Sequence, residues 1–138
     1  MAGLPARIAG GFDFRCLFLD PNAPPHILAT AHQDVDFPAQ LRAALANAVA
    51  ALHTAGLDPD RHCRVYIRQR STTSITVDDA VLYTHIRLAP DGKAVKLTKS
   101  AFTLINAHSP LGQELTTEFE DIWNAGIPIS SVVQRDPP

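Results

Sequence analysis

The residues of this chain that could do chemistry are few and spread along it: Asp20 after an apolar run, three arginines at 64, 68 and 70, the pair Asp78-Asp79, and six histidines. Asp20 opens the turn Asp20-Pro21-Asn22 at the carboxyl end of a predicted strand, where open α/β sheets hold their ligands. Asp20 and Asn22 are therefore candidate ligand contacts. Arg64, Arg68 and Arg70 fall on one side of a second predicted strand and its extension, and a guanidinium fork suits a phosphate or carboxylate. Arg68 and Arg70 are the candidates for an anionic ligand; on a solvated face the same side chains would pair with Asp13, Asp58 or Asp60 instead. Asp78 sits at a hairpin turn and becomes an acid/base group or metal ligand only if the fold brings it to Asp20. His85 shares a strand face with Tyr83, and His32 lies in the loop after the first strand, so both are candidates for polar contacts in a pocket.

Other chemistries are disfavoured by spacing. The histidines at 26, 32, 53, 62, 85 and 108 form neither a His-x3-His nor a His-Glu-x-x-His arrangement, and Cys16 and Cys63 lack the partner spacing of a metal site. No metal is expected. The glycines build no phosphate loop, so no nucleotide cofactor is expected either. Phe37, Phe119 and Trp123 recur at helical core spacing and read as packing.

The elements that must position these groups are legible from periodicity. Residues 12 to 20, FDFRCLFLD, start as an alternating strand and finish wholly apolar, the pattern of a strand buried on both faces. Prolines at 21, 24 and 25 open the segment after the strand and disfavour a helix before Asp36, leaving a loop at about 22 to 35. Phe37, Leu41, Leu45, Ala48, Val49 and Leu52 then repeat at spacings of three and four, predicting a helix over 37–54 with Asp36 as cap, Pro38 in its first turn and Gly56 as its stop. Cys63, Val65 and Ile67 alternate with Arg64, Tyr66 and Arg68 in a strand over 63–69. The segments 75–77 and 80–88 flank Asp78-Asp79 as a hairpin, and residues 101–105 form a last strand. Ser109, Pro110 and the stripe Leu111, Leu115, Phe119, Ile122 and Trp123 mark a helix over 110–125.

With 138 residues, 46% of them hydrophobic, the chain suits one domain over 1–138 with a tail fraying from about 130. The formal charge of −2 gives no electrostatic reason to expect nucleic acid as a partner. The first residues lack the apolar run of a signal peptide, and no stretch has the length of a membrane span, so a cytoplasmic protein with no membrane partner is expected. The two cysteines occupy core-facing positions and read as small hydrophobes.

The order of an R-x-L-F-L-D-P strand, a helix, an R-V-Y-I-R strand, a hairpin around Val77-Asp78-Asp79 and a final E-F-E-D-I-W-N-A-G helix resembles the phospholipase-D-like domains that end many actinobacterial helix-turn-helix regulators. The resemblance covers roughly residues 4 to 129. Active members of that superfamily carry His-x-Lys-x4-Asp. If Asp78 or Asp79 matches the aspartate, Ser71 or Thr72 stands in place of the histidine and Thr73 or Ser74 in place of the lysine. A hydroxyl without an adjacent base is a poor nucleophile, so no catalytic residue is assigned. What the resemblance implies is a regulatory fold that binds a small effector, and a homodimer.

The expected architecture is α/β: a mixed sheet of about five strands with a central parallel βαβ unit, 12–20 beside 63–69, and helices 37–54 and 110–125 packed on it. The expected function is a non-catalytic sensory or regulatory domain for a small, anionic ligand held by Asp20, Asn22, His32, Arg68, Arg70, Asp78 and His85. Two alternatives stand beside it. One is a divergent hydrolase or transferase using His85 or His32 with Asp20. The other is a structural protein–protein interaction module whose exposed strand faces make the contact.

Overall fold

The computed structural model describes residues 14–31, 36–70, 72–86, 88–94 and 101–134. Mixed α/β structure is what forms: five helices and two sheets of three strands each among the described residues. The first sheet has the order β1-β2-β6, from β1 (Cys16–Leu19), β2 (Cys63–Tyr66) and β6 (Ile127–Pro128). β1 and β2 run parallel, with Cys16 opposite Cys63 and Leu19 opposite Tyr66, and β6 is antiparallel to β2. The second sheet is the antiparallel meander β3 (Thr72–Val77), β4 (Ala80–His85) and β5 (Thr103–Asn106).

Two expectations are corrected here. The strands do not join into one five-stranded sheet. Pairing in the first sheet stops at Tyr66, the chain bends at Arg68, and Arg70 is drawn to Glu118, so the backbone leaves that sheet before β3 begins. Nor is the first strand central among the described residues. β2 is the inner strand of its sheet, and β1 is an outer one among the described residues. Its side chains are accordingly half-buried until Leu19, while Cys63 and Val65 of β2 are fully buried. The apolar run Leu17-Phe18-Leu19 overstated burial because a covered edge and a covered centre look alike at four residues.

Helix α1 (Pro25–Ala31) lies inside the stretch expected to be loop. Its first residue is Pro25, a position whose missing N–H has no helical partner to lose, so the prolines that discouraged a helix in fact set its start. Helix α2 (Phe37–Thr54) has the expected bounds. Asp36 stands at its N-cap without a side-chain cap bond, and Gly56, at φ +75°, turns the chain out at the other end. Only glycine takes that left-handed turn without strain. Asp58 caps the short α3 (Pro59–His62) by accepting from the Asp60 N–H at 3.0 Å.

Helix α4 (Pro110–Ala125) begins as expected, with the Ser109 hydroxyl accepting from the Gly112 N–H at 3.1 Å. It buries Leu115, Ile122 and Trp123 and packs on β2, while its first turn abuts the end of β5. The chain expected to fray from about 130 instead forms α5 (Ile129–Val133). Asp60 holds its start, accepting from the Ser130 N–H at 2.9 Å and from its hydroxyl at 2.6 Å. Ile129 and Val132 complete the main core with Leu45 and Leu52 of α2 and Cys63 and Val65 of β2. A second core joins Leu19, Ala23 and Leu41, with Ile27, Leu28 and Tyr66 against them.

Candidate functional site

The candidates read from the sequence fall into three separate places. At the end of β1, Asp20 is fully buried. Its N–H donates to the Tyr66 carbonyl at 2.9 Å, and its carboxylate accepts from the Asn22 N–H at 2.8 Å. The Asn22 side-chain oxygen accepts from Arg42 at 3.2 Å. Asp20 and Asn22 thus fasten the β1–α1 turn, and the carboxylate that its place in the chain recommended as a ligand contact is turned inward. Burial of a carboxylate needs such partners.

The three arginines part company after β2. Arg64 lies over the Trp123 ring, 4.8 Å from its centre, and donates to the Trp123 carbonyl at 2.7 Å. Arg15 stacks on the same α4 face, over Phe119 and Trp123, and pairs with Glu120. That guanidinium holds the Glu120 carboxyl below its ordinary range. Arg70 gives Nε and Nη2 to Glu118, at 3.1 and 3.0 Å, and lies 5.8 Å from the centre of the Tyr66 ring. Burial pushes the Tyr66 hydroxyl up, against the lowering effect of Arg70. Arg68 makes no such pairing among the described residues; it lines an open groove of about 600 Å³ with Gln113, Glu114, Thr117, Glu118 and Asp121 of α4. Three carboxylates line this groove against the single guanidinium of Arg68, and one of them, Glu118, is already paired with Arg70. The acidic positions 114, 118 and 121 form a stripe at helical spacing, a signal that was present in the sequence but overshadowed by the apolar stripe behind it.

Asp78 occupies the β3–β4 turn at φ +52°, and is exposed. Beside it Asp79 pairs with His108 at 2.9 Å, both well exposed. An exposed pair of this kind contributes little. His85, at the other end of β4, sets its ring edge-on to Tyr83 with centroids 5.8 Å apart. Asp78 and His85 therefore occupy opposite ends of one hairpin and do not share a site with Asp20's inward carboxylate. His32 lies outside the described residues. Among those residues no group of three or more histidine, cysteine or acidic side chains could hold a metal, and no helix is long and apolar enough to cross a membrane.

Cys16 and Cys63 face one another across β1 and β2 as free thiols. Burial pushes them up, to about 11 and about 12, from an ordinary 9.0. Both stay protonated at neutral pH, and a thiol is a poor nucleophile. Native Cys16 and Cys63 are expected to resist iodoacetamide and to react once urea unfolds the chain; mass spectrometry of the alkylated protein checks this, and prompt native labelling would contradict it. The pH dependence has a definite sign. The contribution of these thiols to stability is complete below the ordinary 9.0 and falls as pH rises toward 12, because the unfolded chain releases its thiol protons first.

A further feature is a surface. In the second sheet, register puts Ile75, Leu82 and Leu104 in one row across all three strands, and Val77, Ala80 and Asn106 in the next. These rows share a face. On it Ile75 is 58% exposed, Val77 52%, Leu82 36% and Leu104 69%. Phe102, just before β5, is exposed as well. Val81, whose side chain points to the other face, is fully buried. A sheet normally presents polar side chains on its open face; here four aliphatic side chains stand exposed on one face, while Thr84 at the end of that face is buried.

No family model, no curated protein and no solved structure matches the chain. The likeness to phospholipase-D-like regulator domains thus rests on the residues quoted for it.

Proposed function

We propose that this protein is a non-catalytic protein–protein interaction module that works through the outer face of β3, β4 and β5. The observation that carries this reading is the row Ile75, Leu82, Leu104 with Val77 beside it, all exposed and on one face. Together with Phe102 these side chains leave open roughly 500 Å² of apolar surface, toward the top of the about 300–600 Å² of the largest patch on an ordinary monomer. Such a surface is costly in water and gains from being covered.

A small-ligand sensor has one observation in its favour, the groove beside Arg68. Its carboxylates suit a cation better than the anion expected from the arginines. The hydrolase alternative loses support with Asp20 turned inward and His85 on the other sheet, against Tyr83.

Hydroxyl-radical footprinting tests the interaction reading. Oxidation of Ile75, Leu82 and Leu104 is expected to fall at least threefold in a concentrated extract of the producing cells relative to the purified chain at nanomolar concentration. Leu88 and Ile127, exposed elsewhere, serve as the internal reference. Equal oxidation in both samples would refute a contact role for the face.

A further inference from the structure

The occupant of this face can be narrowed by what the face lacks. Its described side chains on the three strands are Thr73, Ile75, Val77, Ala80, Leu82, Leu104 and Asn106, with Thr84 buried at one end, and none of them is charged. Charged groups select a foreign partner and exclude wrong ones. An uncharged aliphatic face carries no such selection, and brings no like-charge penalty when it meets itself.

Geometry favours the same occupant. The row Ile75–Leu82–Leu104 is centred on the middle strand, so a two-fold axis passing near Leu82 lays one row across another and sets Ile75 of one copy toward Leu104 or Ile75 of the next. Two small twisted sheets pack this way, about 10 Å apart, with their side chains interdigitated. An isologous contact needs only one self-complementary patch. Two such patches of roughly 500 Å² bury about 1,000 Å² between them, the size at which a specific interface begins.

We propose that the partner is a second copy of this chain, joined face to face through β3, β4 and β5 of each copy. The inference rests on the interaction reading above and specifies its partner. Two copies would then form a six-stranded sandwich in which Leu82 and Leu104 are fully covered, leaving the Arg68 groove of each copy open.

Sedimentation velocity on the purified full chain, from about 1 to 100 μM, tests it. The expected result is a species of twice the mass of one chain that grows with concentration. Leu104→Asp replaces a side chain 69% exposed in the single chain and so leaves folding intact. It is expected to raise the dissociation constant at least about 100-fold, because an unpaired carboxylate would be buried at the contact. Leu82→Asp, at the centre of the patch, should act likewise, and Ala50→Asp on the exposed side of α2 should not. Cooperative melting of each variant confirms that it is folded. A wild-type chain monomeric at 100 μM, or a dimer indifferent to both Leu104→Asp and Leu82→Asp, would overturn the proposal. If the chain is monomeric while the footprint still shows protection in extract, only the second copy fails; if protection is lost as well, the face is no contact surface.

Discussion

Ile129→Ala is expected to lower the stability of this protein by about 3 kcal/mol, within the 2–5 kcal/mol typical of deleting a buried isoleucine side chain. Ile129 is fully buried in the main core, against Leu45, Leu52, Cys63 and Val65. It sits just before the point, about residue 130, from which the sequence reading expects a fraying tail. The cavity left by alanine opens between α2, β2 and α5, and α5 is tied through the Asp60 bonds to Ser130, which limits collapse. A urea titration followed by tryptophan fluorescence reads the loss as a shift of midpoint, with Trp123 as the single reporter. Val133→Ala, one turn on at an exposed position, should shift it by less than about 0.5 kcal/mol. Equal and small shifts for the two would show that the closing helix is not part of the core.

Gly112→Ala is expected to be the second most damaging single change. A Cβ built on Gly112 would lie 2.3 Å from the Asn106 carbonyl oxygen and 2.7 Å from that of Ala107, both of them backbone atoms in the turn between β5 and α4. Alanine ordinarily gains about 1 kcal/mol over glycine inside a helix. Here the backbone has to part to admit the methyl group, and overpacking of this kind costs about 1–3 kcal/mol or more. The expected net result is a loss of about 2 kcal/mol and a melting point lower by roughly 5–10 °C. The same turn carries the Ser109 cap, so its displacement weakens the first turn of α4 and loosens the junction of the helix with the second sheet. Differential scanning calorimetry measures the change; an unchanged or higher melting point would mean that the turn yields freely.

The two long helices were the most legible part of the sequence, whereas the short α1, α3 and α5 were not expected. The apolar stripe of α2 and the Ser109-Pro110 start of α4 are local signals, and both helices have the expected bounds. The hairpin about Asp78-Asp79 was equally local, its two central residues forming the turn between Val77 and Ala80. Sheet membership was not local. Whether β3 continues the sheet of β1 and β2 is decided by the bend at Arg68 and by the Arg70–Glu118 contact between residues 48 apart, which no periodicity encodes. The centre of the first sheet was misread for a related reason, since β6 is only Ile127 and Pro128, too short to announce itself as the strand that makes β2 the inner one.

The candidate site was legible in type and not in place. Asp20 does stand at the strand end, but a carboxylate there has two uses, and the Asn22 N–H two residues on claims it for the turn. Arg64 and Arg70 looked available because their partners, the Trp123 ring and Glu118, lie on a helix far along the chain. The apolar face had a visible signal of its own. Ile75 and Val77 alternate with Ser74 and Thr76, so the strand showed two faces, and its apolar face is the one that would ordinarily be given to the core. Only the register with Leu82 and Leu104, together with the burial of Val81 behind them, reveals that this side looks outward.

The most direct test of the contact face is photo-cross-linking in the producing cells, with Leu104 replaced by p-benzoylphenylalanine and Ala50, on the exposed side of α2, replaced in the same way as the comparison. A discrete adduct from position 104 and none from position 50 is the result expected. Position 104 giving no adduct, one within its own chain, or the same smear of products as position 50 would contradict the assignment.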